Sequence, residues 1–386
     1  MVTTSFPEYY RQADDGLWQS EQAADPFWDE LISEQPAGQF QQSSAWAEAK
    51  QTEGWKCFRN LFVRNGEITG GFQLLWRKTK IGRIGYLSKG PVVFQETPEQ
   101  WRAALQHVHS AARKLRLRGV IVQPPDMSRA APELSRELNF QPDQLMEVID
   151  ASLWFDLSGG EKEIWQRMPG YNRTFIRQAS RRGVTVREGS EADLPKFFEL
   201  MIQTCERQGT MPNPATLGQL TAVWKAFARR SAMRLTFAEA EGQTIAALIA
   251  VSFGKRLTLW KKGWSSNHSA CRPNHLLYFD ALKWGQERGF DFCDFYSVRR
   301  DIAQALLEGR ELTEEQTRSR DRFHLGFGGT PHLLPPSMVY FPNPLLRAGY
   351  RAILPILERR KRRRYRDRLP LEKSEAAGAP DRALAA

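Results

Sequence analysis

Cysteine is scarce in this chain. Four stand in 386 residues, Cys57, Cys205, Cys271 and Cys293, widely separated and with no C-x-x-C pair. That spacing argues against a disulfide scaffold and a thiolate zinc site, and fits reduced thiols in a cytosolic protein. No run of about 18 apolar residues occurs, so no membrane span is expected. The first residues, MVTTSFPEYYRQADDG, hold neither a basic n-region nor an apolar h-region, so no signal peptide is expected. G-x-x-x-x-G-K-[ST] and G-x-S-x-G are both missing, and no cysteine has a histidine near it in a recognisable motif. A nucleotide P-loop and a covalent serine or cysteine nucleophile are therefore set aside.

What is present suits two or three domains. The chain is 41% hydrophobic and 26% charged, enough to bury a core over most of its length. Its net charge is +11, but the excess is local: Arg347 to Arg368 holds ten basic and two acidic side chains, a net of +8. Such a segment suits RNA or an anionic membrane face, and charge alone does not choose between them.

One pattern occurs twice. Two β-rich runs meet at Asn65-Gly66 (Phe58 to Trp76), and two more meet at Gly242 (Met233 to Phe253). Each hairpin is followed by a strand, RIGYLSKGPVV or KRLTLWKKGW. A helix, a stop glycine (Gly119 or Gly289) and a further strand come next. The hairpin glycines are 176 residues apart and the stop glycines 170 apart, which reads as duplication of one α/β unit. The order of elements resembles the acyltransferase fold called GNAT. The expected architecture is α/β (α+β): two tandem GNAT-like domains, 1–150 and 151–336, then a basic amphipathic C-terminal helix, 337–368, and a disordered tail, 369–386. Asn343 and Pro344 read as the N-cap and first position of that helix. Leu346, Tyr350, Ile353 and Leu357 form its apolar face, expected to pack on the first domain, and Pro355 should kink it.

Six segments, in order, resemble the FemABX-type peptidyltransferases: FQQSSAWAEAKQTEGW, YLSKGPVV, NRTFIRQASRRGVTVRE, NHLLYFDALKWGQERGFDFCDF, RFHLGFGG and PNPLLRAGYRAILPILERRKRR. The resemblance implies a closing helix that returns to the first domain, which takes the acceptor, while the second takes the donor. It implies transfer of an amino acid from aminoacyl-tRNA to an amine on a lipid-linked or UDP-linked peptidoglycan precursor, or a related cell-envelope acceptor. It further implies a cytoplasmic monomer without cofactor or metal, with peripheral contact to the inner membrane face through the basic helix.

The same resemblance assigns roles. Phe323 stacks on the end of the tRNA, as aromatic rings do with single-stranded nucleic acid. His324 stands where the family has lysine; it serves as proton shuttle or oxyanion donor, or makes only local hydrogen bonds. Lys50 reaches the precursor's phosphate, and Trp46 and Lys89 accompany it on the acceptor side. Asn213 replaces the expected partner arginine, and Pro124 the expected aspartate, with Asp126 two residues on. Trp260 and Lys262 occupy the strand where a tyrosine pair is expected, and alternation places them on one face with Lys261 on the other. Arg173, Arg177 and Arg181, at i, i+4 and i+8, form a stripe for tRNA or precursor phosphates, or a solvated helix face. Two other classes stay open. One is a GNAT-type N-acyltransferase using acyl-CoA, although SACRPNHLL lacks the glycines that hold pyrophosphate. The other is a non-catalytic RNA or membrane adaptor.

Overall fold

The computed structural model describes residues 6–14, 16–128, 132–146, 148–266 and 268–367; for 132–134 and 360–367 only the backbone is described. The 369–386 tail lies outside them. Two sheets carry the chain. In the first, Lys56–Arg64 pairs with Glu67–Thr79, Gly82–Ser88 follows antiparallel, and helix Pro98–Lys114 crosses to Leu117–Gln123, which returns parallel to Gly82–Ser88. In the second, Met233–Ala240, Gln243–Phe253, Arg256–Trp264, helix Pro273–Glu287 and Phe292–Asp294 repeat that order with the same pairings. The hairpin turns match as well. Asn65-Gly66 has φ of 53° and 81°, and Glu241-Gly242 has 52° and 74°, the left-handed pair that suits the twist of paired strands.

The crossover helices form for local reasons. Thr97 caps Pro98–Lys114 by accepting from the Gln100 N–H, and Pro98 and Glu99 suit its first turn. Trp101, Ala104, Leu105, Val108, Ala111 and Ala112, three or four apart, bury one face. Gly289 ends the second helix with φ of 72°. Gly119 does not end the first. Arg116 takes the left-handed position at φ of 53°, and Gly119 lies within the following strand. A Cβ there would stand 3.1 Å from the Phe341 ring, so its bareness admits the returning chain.

That return interlocks the two units. Leu117–Gln123 is flanked by Met338–Tyr340 from near the end of the chain, and Phe292–Asp294 by Ala151–Asp156, which follows the first unit. Each sheet is thus completed by a strand reached from the other unit. Residues 338–340 are a strand of the first sheet, ahead of helix Pro344–Asp367. The helix docks on the first unit: the Tyr350 hydroxyl donates to the Pro142 carbonyl at 2.8 Å, and Arg351 Nε donates to Gln141 Oε1 at 3.0 Å. Its inward face differs from the expected one. Tyr350 is buried and Leu354 and Leu357 half-buried, whereas Leu346 and Ile353 are 37% and 47% exposed. Apolar residues lie on both sides of this helix, so spacing could not select the packed side.

A shared core and a buried charge cluster join the units. Phe40, Ala45 and Ala49 pack with Phe197, Leu220, Phe227 and Trp260. Beside them the Asp126 carboxylate accepts from Lys89 Nζ, from Gln39 Nε2 at 2.6 Å and from Arg256 Nη1 at 2.7 Å, across the boundary. These cations outweigh the burial that would raise it and hold the Asp126 carboxyl down at about 2. Removing one partner of such a cluster leaves charge buried without compensation, a loss of about 3–5 kcal/mol. Asp126→Ala is expected to lose that much in a urea melt at pH 7. Because the folded pKa lies below the ordinary 3.8, this stabilisation is complete above about pH 4 and fades as pH falls toward 2. The gap between wild type and variant should therefore narrow over that interval.

Candidate active site

The two sheets differ at one place. In the first, the parallel pair runs from Arg83 opposite Leu117, through a one-residue shift, and then unbroken from Ile84 opposite Gly119 to Ser88 opposite Gln123. In the second it lasts only three positions, Arg256 with Phe292, Leu257 with Cys293 and Thr258 with Asp294. Beyond them the strands part, and Tyr296 turns the chain away with φ of 74°. The open stretch of Arg256–Trp264 carries Trp260, Lys261 and Lys262.

A bulge aims those three side chains. Ile249 lies opposite Lys261 and Ala250 opposite Leu259, which leaves Trp260 as the extra residue. One extra residue reverses the alternation beyond it. Trp260 and Lys261 therefore share a face and Lys262 takes the other, contrary to the simple alternation that paired Trp260 with Lys262.

On Lys262's face lies an aromatic cluster. The ammonium sits 4.9 Å from the ring centre of Phe323 and 5.9 Å from that of Tyr278. Phe323, half-buried, meets Tyr278 and His275 edge-on at 4.8 and 5.0 Å. Burial, with Arg320 nearby, pushes the Lys262 amine down to about 8. Among the described residues no carboxylate or hydrogen-bond acceptor partners that ammonium within contact distance.

His324 is not placed as a free cation. Its Nδ1 faces the Ser297 carbonyl at 3.3 Å and its Nε2 the Tyr278 hydroxyl at 3.1 Å. The carbonyl can only accept, so Nδ1 carries the proton and Nε2 accepts from Tyr278. Burial, and the charge of Lys262, press the imidazole down to about 3. It is a neutral, doubly bonded ring, and a proton shuttle there would break one of those bonds. The local-hydrogen-bond alternative is the one that the geometry fits.

The glycines of the same loop serve close packing. A Cβ at Gly326 would lie 3.1 Å from Tyr171 Oη and 3.2 Å from Asn172 Oδ1, and Gly328 turns at φ of 81° beside the Arg167 carbonyl. These contacts bring the start of helix Gly170–Arg181 against the loop. On that helix Arg173 is half-buried, Arg177 lies over Trp165 at 5.0 Å, and Arg177 and Arg181 are exposed.

The opposite face gathers the acceptor-side candidates. Lys50 lies over Trp46 at 4.7 Å and pairs with Glu53 at 2.6 Å; Trp46 meets Trp260 edge-on at 6.2 Å. Lys261 lies 5.4 Å from the Trp260 ring and 5.8 Å from Tyr296, and burial, then Lys50, brings its amine to about 8. Trp260 itself is buried. Asn213 is exposed on the loop after helix Leu194–Arg207. Lys89 belongs elsewhere: it is buried, its charge spent on Asp126, and is withdrawn as a substrate ligand. Sequence reasoning missed Tyr278 and His275, three residues apart on one helix, a spacing that also fits plain core.

Splayed parallel strands, a crossover helix and tandem repetition define a two-domain GNAT-like architecture. Residues 171–301 match the family model described as acetyltransferase (GNAT) domain. The chain is similar to the lipid II:glycine glycyltransferase of Staphylococcus aureus, strains MRSA252 and NCTC 8325 / PS 47. It is 28% identical over 193 residues, 47% of this chain and 46% of theirs. It thus spans about half the length of the curated relatives it matches. The crystal structure of FemX superposes with a TM-score of 0.71 at 18% identity, covering 84% of this chain and 97% of that one, which shows a common fold. The resemblance to FemABX-type proteins thus stands on sequence and on fold.

Proposed function

We propose that the chain is an aminoacyltransferase that moves an amino acid from aminoacyl-tRNA to an amine of a peptidoglycan-precursor stem peptide or a related cell-envelope acceptor. The observation that carries this reading is the bulged strand, open on both faces at the sheet's gap. One face offers Phe323 and Lys262, with the arginine helix Gly170–Arg181 alongside. The other offers Trp46, Lys50 and Lys261 between the two units. A donor ester on one side and an acceptor amine on the other would meet at the gap. The ester is already activated, so the task is alignment, stabilisation of the oxyanion and transfer of one proton. Exposed Arg177 and Arg181 suit tRNA phosphates, and Phe323 suits a terminal base.

The residues fit acyl-CoA less well. The turn before helix Pro273–Glu287 has no glycine, Pro273 lacks an N–H, and Arg272 lies over Phe175 at 4.5 Å. That leaves few backbone donors for a pyrophosphate.

The transfer assay combines purified protein, lipid-extracted precursors and labelled aminoacyl-tRNAs, with and without RNase, beside a reaction with labelled acetyl-CoA. RNase-sensitive label in an amine-linked product is expected, and mass identifies the acceptor. Label from acetyl-CoA alone would overturn the reading in favour of an acyl-CoA enzyme. Label from neither donor, with an active control transferase, would favour an adaptor.

The last helix fits work at the inner face of a membrane. Leu345, Ile353 and Ile356 are 79%, 47% and 53% exposed, and the helix continues into the run Arg359 to Arg364. An apolar stripe followed by basic charge suits an anionic lipid surface; RNA has no use for the isoleucines. Anionic vesicles should co-sediment the protein, zwitterionic ones should not, and Ile353→Ser with Ile356→Ser should weaken binding at least tenfold. Unchanged vesicle binding with weakened tRNA binding would instead assign the helix to RNA.

A further inference from the structure

Lys262 contacts the rings of Phe323 and Tyr278 but has no ion-pair or hydrogen-bond partner among the described residues. It sits at the end of a strand whose register was shifted by one residue, and only that shift turns it toward Phe323. Bulges next to active sites re-aim side chains in this way. The groups around the ammonium are known. Phe323 and Tyr278 lie beneath it; Arg320 and Asp321 stand on the adjoining turn; His275 and His324 lie within reach of its charge. Asp321 accepts from the Arg299 backbone N–H and is raised by its own burial. His275 and His324 are held neutral by burial first and then by neighbouring cations, Lys262 among them. The site therefore holds an ammonium on an aromatic floor, facing a gap in the sheet, with Asp321 nearby but no carboxylate in contact with it among the described residues.

We propose that Lys262 is a catalytic residue of the donor site, its ammonium stabilising the oxyanion that forms when the acceptor amine attacks the aminoacyl ester. The inference rests on the aminoacyl-transfer reading above. In the step, the amine nitrogen bonds to the ester carbonyl carbon and the C=O π electrons move to oxygen. That oxyanion lies against Lys262. As the carbonyl re-forms, the bond to the ribose oxygen breaks, and the proton shed by the attacking nitrogen ends on that oxygen. Lys262 needs to give up no proton; it supplies charge where charge develops. The role that resemblance assigned to position 324 is thus met from position 262, across the ring of Phe323, while His324 orients Tyr278.

Two stable donor analogues test this without turnover. One is a neutral aminoacyl amide of adenosine; the other replaces the carbonyl by a tetrahedral phosphonate anion. Wild type and Lys262→Arg should both favour the phosphonate. Lys262→Met should lose at least about thirtyfold for the phosphonate and less than about threefold for the amide. In turnover, Lys262→Met should lower kcat about 100- to 1,000-fold with little change in donor KM, the range for removing one oxyanion donor. Lys261 is also brought to about 8, so the pH profile is read in Lys261→Arg: the rate should fall on an alkaline limb near pH 8 as the Lys262 ammonium is lost, and adding Lys262→Arg should remove that limb because arginine does not titrate there. Equal loss of both analogues in Lys262→Met, or an alkaline limb kept when both Lys261 and Lys262 are arginine, would overturn the assignment to Lys262. Failure of wild type to bind either analogue would overturn the transfer reading itself.

Discussion

A single carboxylate, Asp126, fixes the geometry on which the rest of the site depends. It stands just past the last strand of the first unit's repeat and accepts from Lys89 of that unit and Arg256 of the other. Arg256 is the first residue of the strand that later carries Trp260, Lys261 and Lys262. Its guanidinium also lies against a stacked pair of aromatic rings, 4.9 Å from Trp154 and 5.0 Å from Phe292. The strand's origin is therefore pinned by charge and by packing at once. Charges removed from water are costly unless paired, so this cluster tolerates one arrangement and transmits it along the strand.

The two sheets share one design, and they differ where the proposed site lies. The first keeps its parallel pair closed along its length, has no gap, and contributes Lys50 and Trp46 from a helix on its flank. The second opens after three pairs and gains a bulge at the same place. Opening exposes the strand, and the bulge sends neighbouring lysines to opposite faces. The returning strand Met338–Tyr340, which follows the second unit but pairs in the first sheet, ties the two units together. A site assembled from both units needs that rigidity.

Much of this was legible in the sequence, for identifiable reasons. Asn65-Gly66 and Glu241-Gly242 marked both hairpins because only a few residues tolerate two successive left-handed positions. Gly289 marked a helix end for the same reason. Gly119 misled because glycine also serves close approach, and Phe341 lies more than two hundred residues further along. The face of Lys262 was misread because alternation assumes an unbroken ladder, and nothing local in TLWKKGW announces a bulge. Lys89 looked like a ligand because its buried partner, Asp126, is separated from it in sequence. His324 looked chemical until its two nitrogens were seen to be occupied by Ser297 and Tyr278.

In the proposed reaction, donor and acceptor occupy opposite faces of one bulged strand and meet at the gap. A crystal structure with a tRNA acceptor-end mimic bearing the phosphonate tests it most directly. A terminal base on the ring of Phe323 and a phosphonate oxygen within about 3 Å of Lys262 Nζ are expected. A mimic seated instead beside Trp46 and Lys261, with the Phe323 face empty, would contradict it.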